Sequence, residues 1–363
     1  MSESSMKSAD WSRMKTHTGK WPRPRTHTET EKPRDASSMP CAASSRDRFL
    51  ARGEGLPQKR SASSMLKRAV ITLVLSGLGL ACSDPGPRFD PITMDPPVRQ
   101  EPGPLLWEGS FESAGQAMNA IVYEAGGPGP HPTALLLHGF PGNERNLDLA
   151  QALRRAGWNV VFFHYRGAWG SEGSFSFSGA LADVLEVTRT ITQTEWAQSH
   201  RVDTQKIAVV GHSMGGFLAL AAASRTSEIQ CAVSMAGPNL GSLISPEADP
   251  ESLSLIGAQF EEWAQGRLVG ASGPALILDL TQNGHDLELI RHAPGLQKTP
   301  VLLLAGESDR VVPGGTIQEL YKSYRKAGNE DIKLIPLQGD HSFSGQRIEL
   351  ARHVLAFLDE RCR

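Results

Sequence analysis

The fold of this chain is indicated most directly by one stretch, Ile207-Ala-Val-Val-Gly-His-Ser-Met-Gly-Gly-Phe217. Four apolar residues precede the motif Gly-His-Ser-Met-Gly, and a run rich in alanine and leucine continues from it to Ala223. A strand, a Gly-x-Ser-x-Gly turn and a helix in this order place the serine hydroxyl at the exposed end of a sheet. The flanking glycines are needed because a Cβ there would collide with the neighbouring strand and helix. The stretch therefore predicts a strand, a strained turn and a helix, with Ser213 as a candidate nucleophile.

The same alternation of strand and helix continues on both sides of this stretch. Besides residues 207–210, short apolar runs predict strands at residues 106–111, 117–123, 134–137, 160–163, 231–235, 301–305 and 332–337, and helical spacing occurs at 146–156, 180–196, 316–327 and 348–358. The first two strands predict an antiparallel edge. Continuous apolar strands that alternate with amphipathic helices favour a parallel sheet covered on both faces. The sequence therefore predicts an α/β fold with a mainly parallel, eight-stranded sheet.

One interval, residues 238–300, interrupts this alternation. It is too long for a structureless loop inside a compact domain, and residues 251–266 have a helix-like distribution of apolar side chains that includes Phe260 and Trp263. We predict that it forms a helical cap over the sheet edge, after the sixth strand. Phe260 and Trp263 fit the core of this cap and the wall of a substrate pocket equally well.

A serine nucleophile needs a base, and an acid that orients the base. In enzymes with this strand–turn–helix arrangement, the acid and then the histidine follow the serine along the chain. His341 lies just after the last predicted strand, in Gly-Asp-His-Ser-Phe, and is the predicted base. Asp309 follows the strand at 301–305, at the end where sites in open α/β sheets lie, and is the predicted acid. Glu307 and Asp340 are the alternatives for the acid.

The sequence also predicts two backbone donors for the oxyanion that forms when a serine attacks a carbonyl. One is the N–H of Met214, the residue after the serine, and the other comes from the loop after the third strand. That loop reads His138-Gly-Phe-Pro-Gly142, and Phe140 is the residue placed to supply the second N–H. His138 is predicted to be structural, because it precedes the glycine that lets the backbone turn inward.

Together these motifs resemble the α/β-hydrolase superfamily, over residues 105–358. The resemblance rests on His138-Gly-Phe-Pro-Gly, Gly211-His-Ser-Met-Gly-Gly, Asp309-Arg-Val-Val-Pro and Gly339-Asp-His-Ser-Phe. The chain is similar to the branch of serine aminopeptidase-like, monoacylglycerol-lipase-like and dienelactone-hydrolase-like enzymes. Enzymes of that branch have a loop after the fourth strand that is similar to Tyr165-Arg-Gly-Ala-Trp-Gly170 of this chain. The resemblance implies hydrolysis of carboxylic esters, thioesters or amides without a cofactor.

Three functions fit these residues. The first is a serine hydrolase that cleaves small-molecule or acyl esters through Ser213, His341 and Asp309 and an acyl-enzyme. The second is a serine peptidase or amidase for short peptides, which would need an anchor for a peptide terminus, such as Glu261 or Glu262 of the predicted cap. The third, an inactive surface-binding lipoprotein on a hydrolase scaffold, is disfavoured because all three residues of the triad are present. The sequence does not identify the substrate.

The first hundred residues differ in composition from the rest of the chain. Residues 1–64 are rich in Ser, Lys, Arg and Thr without a hydrophobic period, which predicts a disordered leader. Residues 65–81 combine a short cationic start with an apolar run too short to cross a bilayer, which predicts a signal peptide. The end of that run resembles a bacterial lipoprotein processing site, so Cys82 is the predicted lipidation residue, although Gly79 stands where an aliphatic residue is usual. The proline-rich residues 82–104 predict an extended tether.

These segments lead to a prediction of cellular location. We expect residues 105–363 to form an extracytoplasmic domain that is lipid-anchored to a bacterial membrane, with secretion as the alternative. Because signal peptides stand at the start of a chain, we expect Met65 to be the true start of translation.

The composition also bears on partners and cofactors. Residues 1–64 hold 13 Lys and Arg against 7 Asp and Glu, but the charges are mixed and no aromatic platform accompanies them, so no nucleic-acid partner is expected. The Cys and His residues lack zinc-site spacing and the chain lacks a glycine-rich phosphate loop, so we expect no metal and no nucleotide cofactor. A disulfide between Cys231 and Cys362 stays open, since spacing alone does not support one.

Overall fold

The part of the chain described by the computed structural model comprises residues 89–244 and 247–363. The predicted leader, the predicted signal peptide and the predicted lipidation residue Cys82 lie outside the described residues. Within the described ranges, no helix combines the length and the apolar character that a membrane crossing needs.

Eight strands form one sheet in the order β1-β2-β4-β3-β5-β6-β7-β8. They are β1 (Leu105–Ser113), β2 (Gln116–Glu124), β3 (His131–Leu137), β4 (Asn159–Phe163), β5 (Val202–His212), β6 (Cys231–Met235), β7 (Val301–Gly306) and β8 (Ile332–Leu337). β2 pairs antiparallel with β1 and β4, and the pairs from β4 to β8 are parallel. The central strands β4, β6 and β7 are buried at every position, because helices cover both faces of a parallel sheet. The predicted mainly parallel, eight-stranded sheet is confirmed.

The α-helices of the described residues follow the strands in the predicted alternation. They are α1 (Leu147–Arg155), α2 (Phe177–Thr192), α3 (Thr194–Ser199), α4 (Met214–Ala223), α5 (Pro250–Ala264), α6 (Gly273–Asn283), α7 (Gly314–Lys326) and α8 (Arg347–Arg361), with 3₁₀ helices at Leu240–Ser242 and Leu289–Leu296. α1 and α8 cover one face of the sheet, and α2, α3, α4 and α7 cover the other. The single helix predicted at 180–196 is wrong: it is two helices, because Gln193 has an extended conformation, with ψ of 138°, that ends α2.

The insertion between β6 and β7 forms the predicted helical cap. Its helices α5 and α6 approach closely at two glycines, since a Cβ on Gly273 would lie 2.5 Å from the carbonyl oxygen of Gly257. Asp279 of α6 accepts hydrogen bonds from the backbone N–H groups of Phe177 (2.7 Å) and Ser178 (3.1 Å), at the start of α2. The cap is therefore fastened to the sheet domain by a carboxylate at a helix N-terminus, where negative charge is stabilised.

A disulfide joins Cys231 and Cys362. Cys231 is the first residue of β6 and Cys362 follows α8, so the bridge ties the middle of the sheet to the C-terminal helix. Sequence spacing did not support this bridge, because 131 positions separate the two cysteines and only the packing of α8 on the sheet brings them together.

The described part of the predicted tether, residues 89–104, is not extended throughout. The Asp90 carboxylate accepts hydrogen bonds from the Ile92 N–H (3.1 Å) and the Thr93 hydroxyl (2.6 Å), a turn that aspartate favours. Arg155 of α1 then donates to the carbonyl oxygens of Pro91 (2.6 Å) and Ile92 (3.1 Å). Residues 90–94 are thus held against the domain.

Candidate active site

Ser213 lies on the turn between β5 and α4, as the motif predicts. Its φ of 55° and ψ of −125° form a strained conformation for a residue with a side chain. The turn is held by the Ser213 N–H, which donates to the carbonyl oxygen of Met235 in β6 at 2.8 Å. The Ser213 carbonyl accepts from the N–H groups of Gly216 (2.8 Å) and Phe217 (3.1 Å), which starts α4. Hydrogen bonds to β6 and α4 therefore hold Ser213 in this strained conformation.

The two glycines of the motif have no room for a side chain. A Cβ on Gly211 would lie 2.0 Å from the carbonyl oxygen of Gly215, and a Cβ on Gly215 would lie 2.1 Å from the carbonyl oxygen of Leu137. Both contacts are with backbone, which cannot move aside as a flexible side chain can. The close approach of β3, β5 and α4 therefore explains why the turn needs glycine at both positions.

The structure brings His341 and Asp309 into direct contact. His341 Nδ1 and Asp309 Oδ2 are 2.8 Å apart, and the Asp309 side chain is fully buried. The other carboxylate oxygen, Oδ1, accepts the N–H groups of Val311 and Val312, both at 2.8 Å. Hydrogen bonds to an ionised carboxylate are stronger than those between neutral groups. Asp309 is thus fixed by its own loop and points at the histidine.

Neither alternative acid is placed in this way. The Asp340 carboxylate accepts hydrogen bonds from the N–H and the hydroxyl of Ser344, each at 2.8 Å, and these bonds lower the pKa of Asp340. Glu307 is exposed. Of the three candidates for the acid, the geometry favours Asp309.

The Ser213 hydroxyl and the His341 ring are on adjacent loops, without a direct hydrogen bond between them in the described part of the chain. Because Nδ1 of His341 is bonded to Asp309, Nε2 is the ring nitrogen that can take a proton from a serine. Catalytic hydrogen bonds of this kind are often long in ligand-free structures and tighten when substrate binds. Asp309 and His341 therefore form a completed pair, and Ser213 lies beside it on the neighbouring turn.

His212, the residue before the serine, connects these two loops, and sequence reasoning did not single it out. Its Nε2–H donates to the carbonyl oxygen of His341 at 2.7 Å, and the centroids of the two rings are 4.9 Å apart. Burial lowers the pKa of His212 to about 4, so its ring is neutral at neutral pH. Its Nδ1 has no hydrogen-bond partner among the described residues. His212 thus ties the turn of Ser213 to the loop of His341.

The two predicted oxyanion donors belong to segments next to Ser213. Met214 is the first residue of α4, so its N–H has no acceptor within the helix. The Phe140 N–H donates to no acceptor among residues 89–244 and 247–363. The neighbouring Gly139 runs so close to the serine that a Cβ on it would lie 2.9 Å from the Cβ of Ser213. The loop after β3 is thus packed directly against the nucleophile turn.

Comparison with known proteins identifies the family of a chain with this geometry. The family described as alpha/beta hydrolase fold matches residues 132–359, which is more than half of the chain. The chain belongs to the alpha/beta hydrolase family.

This alpha/beta hydrolase has distant curated relatives with two kinds of named activity. It is 27% identical over 232 residues to the lysophosphatidylserine lipase ABHD12 of Danio rerio, covering 61% of this chain and 55% of that protein. It is 26% identical over 269 residues to the acylamino-acid-releasing enzyme of Homo sapiens, covering 70% of this chain and 34% of that protein. The chain thus spans about half or less of the length of these two relatives.

A solved structure agrees with the fold. Est1E from Butyrivibrio proteoclasticus matches the alpha/beta hydrolase chain with a TM-score of 0.54 and 20% sequence identity, covering 70% of this chain and 98% of that chain. At this identity, the likeness concerns the fold alone.

Two neutral histidines support residues 138–142, the loop after β3 that carries the predicted donor Phe140 and is named the oxyanion loop for that prediction. His138 Nδ1–H donates to the carbonyl oxygen of Gly139 at 2.8 Å, and His138 Nε2 lies 3.2 Å from His164 Nδ1. The Tyr165 hydroxyl donates to the His138 carbonyl at 2.9 Å. Burial lowers the pKa of His138 to about 4 and that of His164 to about 3, so neither ring is charged at neutral pH. These contacts give His138 a structural place in the loop.

The cap meets the oxyanion loop at an aromatic cluster. The Phe140 ring lies 5.7 Å from Phe260 and 6.5 Å from Trp263 of α5, and 5.6 Å and 5.4 Å from Phe175 and Phe177. Phe260 is buried and Trp263 half-buried. These two residues therefore join the cap to the sheet domain at the residue that carries a predicted oxyanion donor.

Glu261 and Glu262, the cap carboxylates suggested as a peptide anchor, are placed at a separate cavity. Glu261 and Glu262 line an open cavity of about 460 Å³, together with the segment that follows α5, and Ser213 is not among its lining residues. Glu261 also accepts the N–H of Gly273 at 2.9 Å. Among the described residues, no group of three or more His, Cys, Asp or Glu side chains is arranged to hold a metal ion.

Proposed function

We propose that this alpha/beta hydrolase is a serine esterase that cleaves carboxylic esters through an acyl-enzyme on Ser213. The observation that carries the proposal is the hydrogen bond between buried Asp309 and His341, on a loop that His212 holds beside the nucleophile turn. The distant likeness to a lysophosphatidylserine lipase, an ester-cleaving enzyme by its name, supports the same chemistry.

The proposed reaction proceeds in two halves. Ser213 Oγ attacks the ester carbonyl carbon while His341 Nε2 takes the hydroxyl proton, and the charge on the carbonyl oxygen is stabilised by the N–H groups of Phe140 and Met214. The tetrahedral intermediate collapses and releases the alcohol, which receives the proton from His341. Water then attacks the acyl-serine, gives a proton to His341, and the acid leaves as the proton returns to Ser213. Asp309 stays ionised throughout and stabilises the imidazolium.

The proposal predicts that Ser213→Ala removes nearly all ester hydrolysis. We expect kcat for p-nitrophenyl butyrate to fall by about 10⁴- to 10⁶-fold, since the nucleophile and its base act as a unit. The measurement is p-nitrophenol release, followed by absorbance on the purified full-length chain.

Ser224→Ala is the matched control for this variant. Ser224 lies at the end of α4, where its Oγ is 2.8 Å from a histidine nitrogen, Nδ1 of His292, and donates to the carbonyl oxygen of Ala221 at 2.8 Å. We expect Ser224→Ala to retain full activity. The proposal is contradicted if Ser213→Ala turns over the ester at the wild-type rate, or if only Ser224→Ala is inactive.

A peptidase or amidase with the same triad is the second candidate, and the likeness to an acylamino-acid-releasing enzyme over 70% of this chain favours it. The discriminating experiment compares kcat/KM for a p-nitrophenyl ester and for the p-nitroanilide with the same acyl group. Because the ester is intrinsically far more reactive than the anilide, a peptidase would also cleave the ester. Turnover of the ester without detectable turnover of the anilide supports the esterase, and a kcat/KM for the anilide comparable to that for the ester supports the peptidase. A folded protein that cleaves neither compound would instead fit the inactive, surface-binding lipoprotein.

We also propose that the hydrolase is held outside the cytoplasm by a lipid on Cys82. The proposal rests on the sequence of residues 65–82. The disulfide between Cys231 and Cys362 supports it, because structural disulfides persist mainly in oxidising compartments. In membrane fractionation, the wild type should sediment with membranes and Cys82→Ser should be soluble. Equal release of both proteins into the soluble fraction would contradict the anchor.

A further inference from the structure

Trp169, in the loop after β4, makes an unexpected contact with the oxyanion loop. Its indole Nε1–H donates to the carbonyl oxygen of Pro141 at 2.8 Å. Pro141 is the residue directly after Phe140, whose N–H is the proposed oxyanion donor. A side chain from another loop thus bonds to the residue next to the proposed donor.

The backbone next to this bond has no room for a side chain at Gly142. Gly142 has a φ of 97°, and a Cβ on it would lie 2.8 Å from Trp169 Nε1 and 2.6 Å from His138 Nδ1. The backbone at Gly142 thus lies against both the indole of Trp169 and the neutral imidazole of His138. A shift of the indole toward Gly142 would therefore press on the loop.

Trp169 itself is held in place by the cap. Its φ of 50° is unusual for a bulky residue and costs conformational energy. The Trp169 N–H donates to the carbonyl of Arg267 at 2.9 Å, and the Val269 N–H donates to the carbonyl of Gly167 at 2.7 Å, so the segment between α5 and α6 pairs with this loop. The Arg145 guanidinium lies 4.6 Å from the ring centroid of Trp169, in the range of a cation–π contact.

We infer that Trp169 is a positioning residue of the oxyanion hole, and that through it the cap forms part of the catalytic apparatus. The cap reaches two successive residues of the oxyanion loop: Phe140 through the rings of Phe260 and Trp263, and Pro141 through the indole of Trp169. Movement of the cap would therefore displace the oxyanion donor. This inference rests on the proposed function of Ser213.

The inference predicts a specific kinetic defect for Trp169→Phe, which removes the N–H donor and keeps an aromatic ring. A displaced oxyanion donor weakens binding of the transition state and leaves ground-state binding nearly intact. Since loss of one donor costs about 10²- to 10³-fold in kcat, a misplaced donor should cost about 10- to 100-fold. We expect kcat for p-nitrophenyl butyrate to fall by that factor with KM nearly unchanged.

Inhibition by a ketone reports on the oxyanion hole directly. A trifluoromethyl ketone with a butyl chain adds Ser213 Oγ to its carbonyl carbon, with the serine proton passing to His341, and the resulting oxyanion occupies the hole. Its inhibition constant should rise in Trp169→Phe by a factor similar to the loss in kcat. A side chain that only contributes to stability would not produce this parallel change.

Trp158→Phe is the matched control. Trp158 is fully buried on the α1 and α8 side of the sheet, and its indole N–H donates to Asp359 of α8 at 3.3 Å. Both variants lose one indole hydrogen bond, but only Trp169 contacts the oxyanion loop. We expect Trp158→Phe to lower the melting temperature without changing kcat or the inhibition constant.

The outcomes separate this inference from the proposed function. If the wild type hydrolyses the ester through Ser213, and folded Trp169→Phe matches it in kcat and in inhibition by the ketone, the inference is overturned and the proposed function stands. If Trp169→Phe does not fold, the same contact is tested by incorporating benzothienylalanine at position 169, which keeps the bicyclic ring and lacks the N–H. Wild-type kcat in that variant would equally overturn the inference, and a fall in kcat with an unchanged KM would support it.

Discussion

The proposed role of Asp309 follows from the hydrogen bonds of its carboxylate. Its two carboxylate oxygens are fully used, by His341 on one side and by two backbone N–H groups on the other. In Asp309→Asn, the amide can hold the imidazole in the wrong tautomer. We therefore expect kcat for the ester to fall by about 10⁴-fold, with the fold of the protein retained. Steady-state kinetics with p-nitrophenyl butyrate measure this change.

Asp340→Asn is the control for Asp309→Asn, because Asp340 adjoins the histidine in sequence but bonds to Ser344. Its kcat should stay close to that of the wild type. A larger loss of kcat in Asp340→Asn than in Asp309→Asn would assign the acid to Asp340 instead.

Some of these residues could be predicted from the sequence and others could not. Asp309 and His341 were predicted because each follows a strand, and the ends of parallel strands meet at one edge of a sheet. His212 and Trp169 were not predicted to act, because their roles depend on contacts with distant positions. His212 bonds to a residue 129 positions later, and the Trp169 side chain to one 28 positions earlier.

At the scale of elements, the cap depends on one carboxylate at the start of α2. Asp279 is buried and accepts from the N–H groups of Phe177 and Ser178 and from the Ser178 hydroxyl. In Asp279→Asn the charge is lost and an amide faces these donors. We expect the free energy of unfolding to fall by about 1–3 kcal/mol, the range for hydrogen bonds to charged groups. Urea unfolding followed by circular dichroism measures it.

Asp286→Asn on the same cap is the comparison for this variant, since its side chain is 73% exposed. A surface change of this kind should alter the free energy of unfolding by less than about 0.5 kcal/mol. Equal stabilities of the two variants would show that the carboxylate of Asp279 does not fasten the cap.

The elements themselves were well indicated by the sequence. β6 and β8 have the predicted bounds. The cap helices were predicted as a group, but their contacts with the sheet domain were not. Those contacts join α6 to α2 and the segment after α5 to the loop after β4, and no local pattern encodes such pairings.

For the whole molecule, the disulfide between Cys231 and Cys362 is a covalent long-range constraint, since it links residues that are 131 positions apart. Reduction should lower the free energy of unfolding by about 2–5 kcal/mol, in line with other native disulfides. We expect little change in kcat, because the bridge lies between the start of β6 and the end of α8, at the opposite end of β6 from Ser213.

Melting temperatures with and without dithiothreitol test this prediction. The double variant Cys231→Ala, Cys362→Ala should melt near the reduced wild type and should not respond to the reductant. An unchanged melting temperature of the wild type on complete reduction would mean that the bridge does not stabilise the fold.

The most direct test of the central claim, that Ser213 is the nucleophile, is to map a covalent adduct. The full-length chain is treated with a fluorophosphonate, and its peptides are sequenced by mass spectrometry. We predict one phosphonyl group per chain, on Ser213 within Gly211-His-Ser-Met-Gly215, and no labelling of Ser213→Ala. An adduct on any other residue, or undiminished labelling of Ser213→Ala, would contradict the assignment.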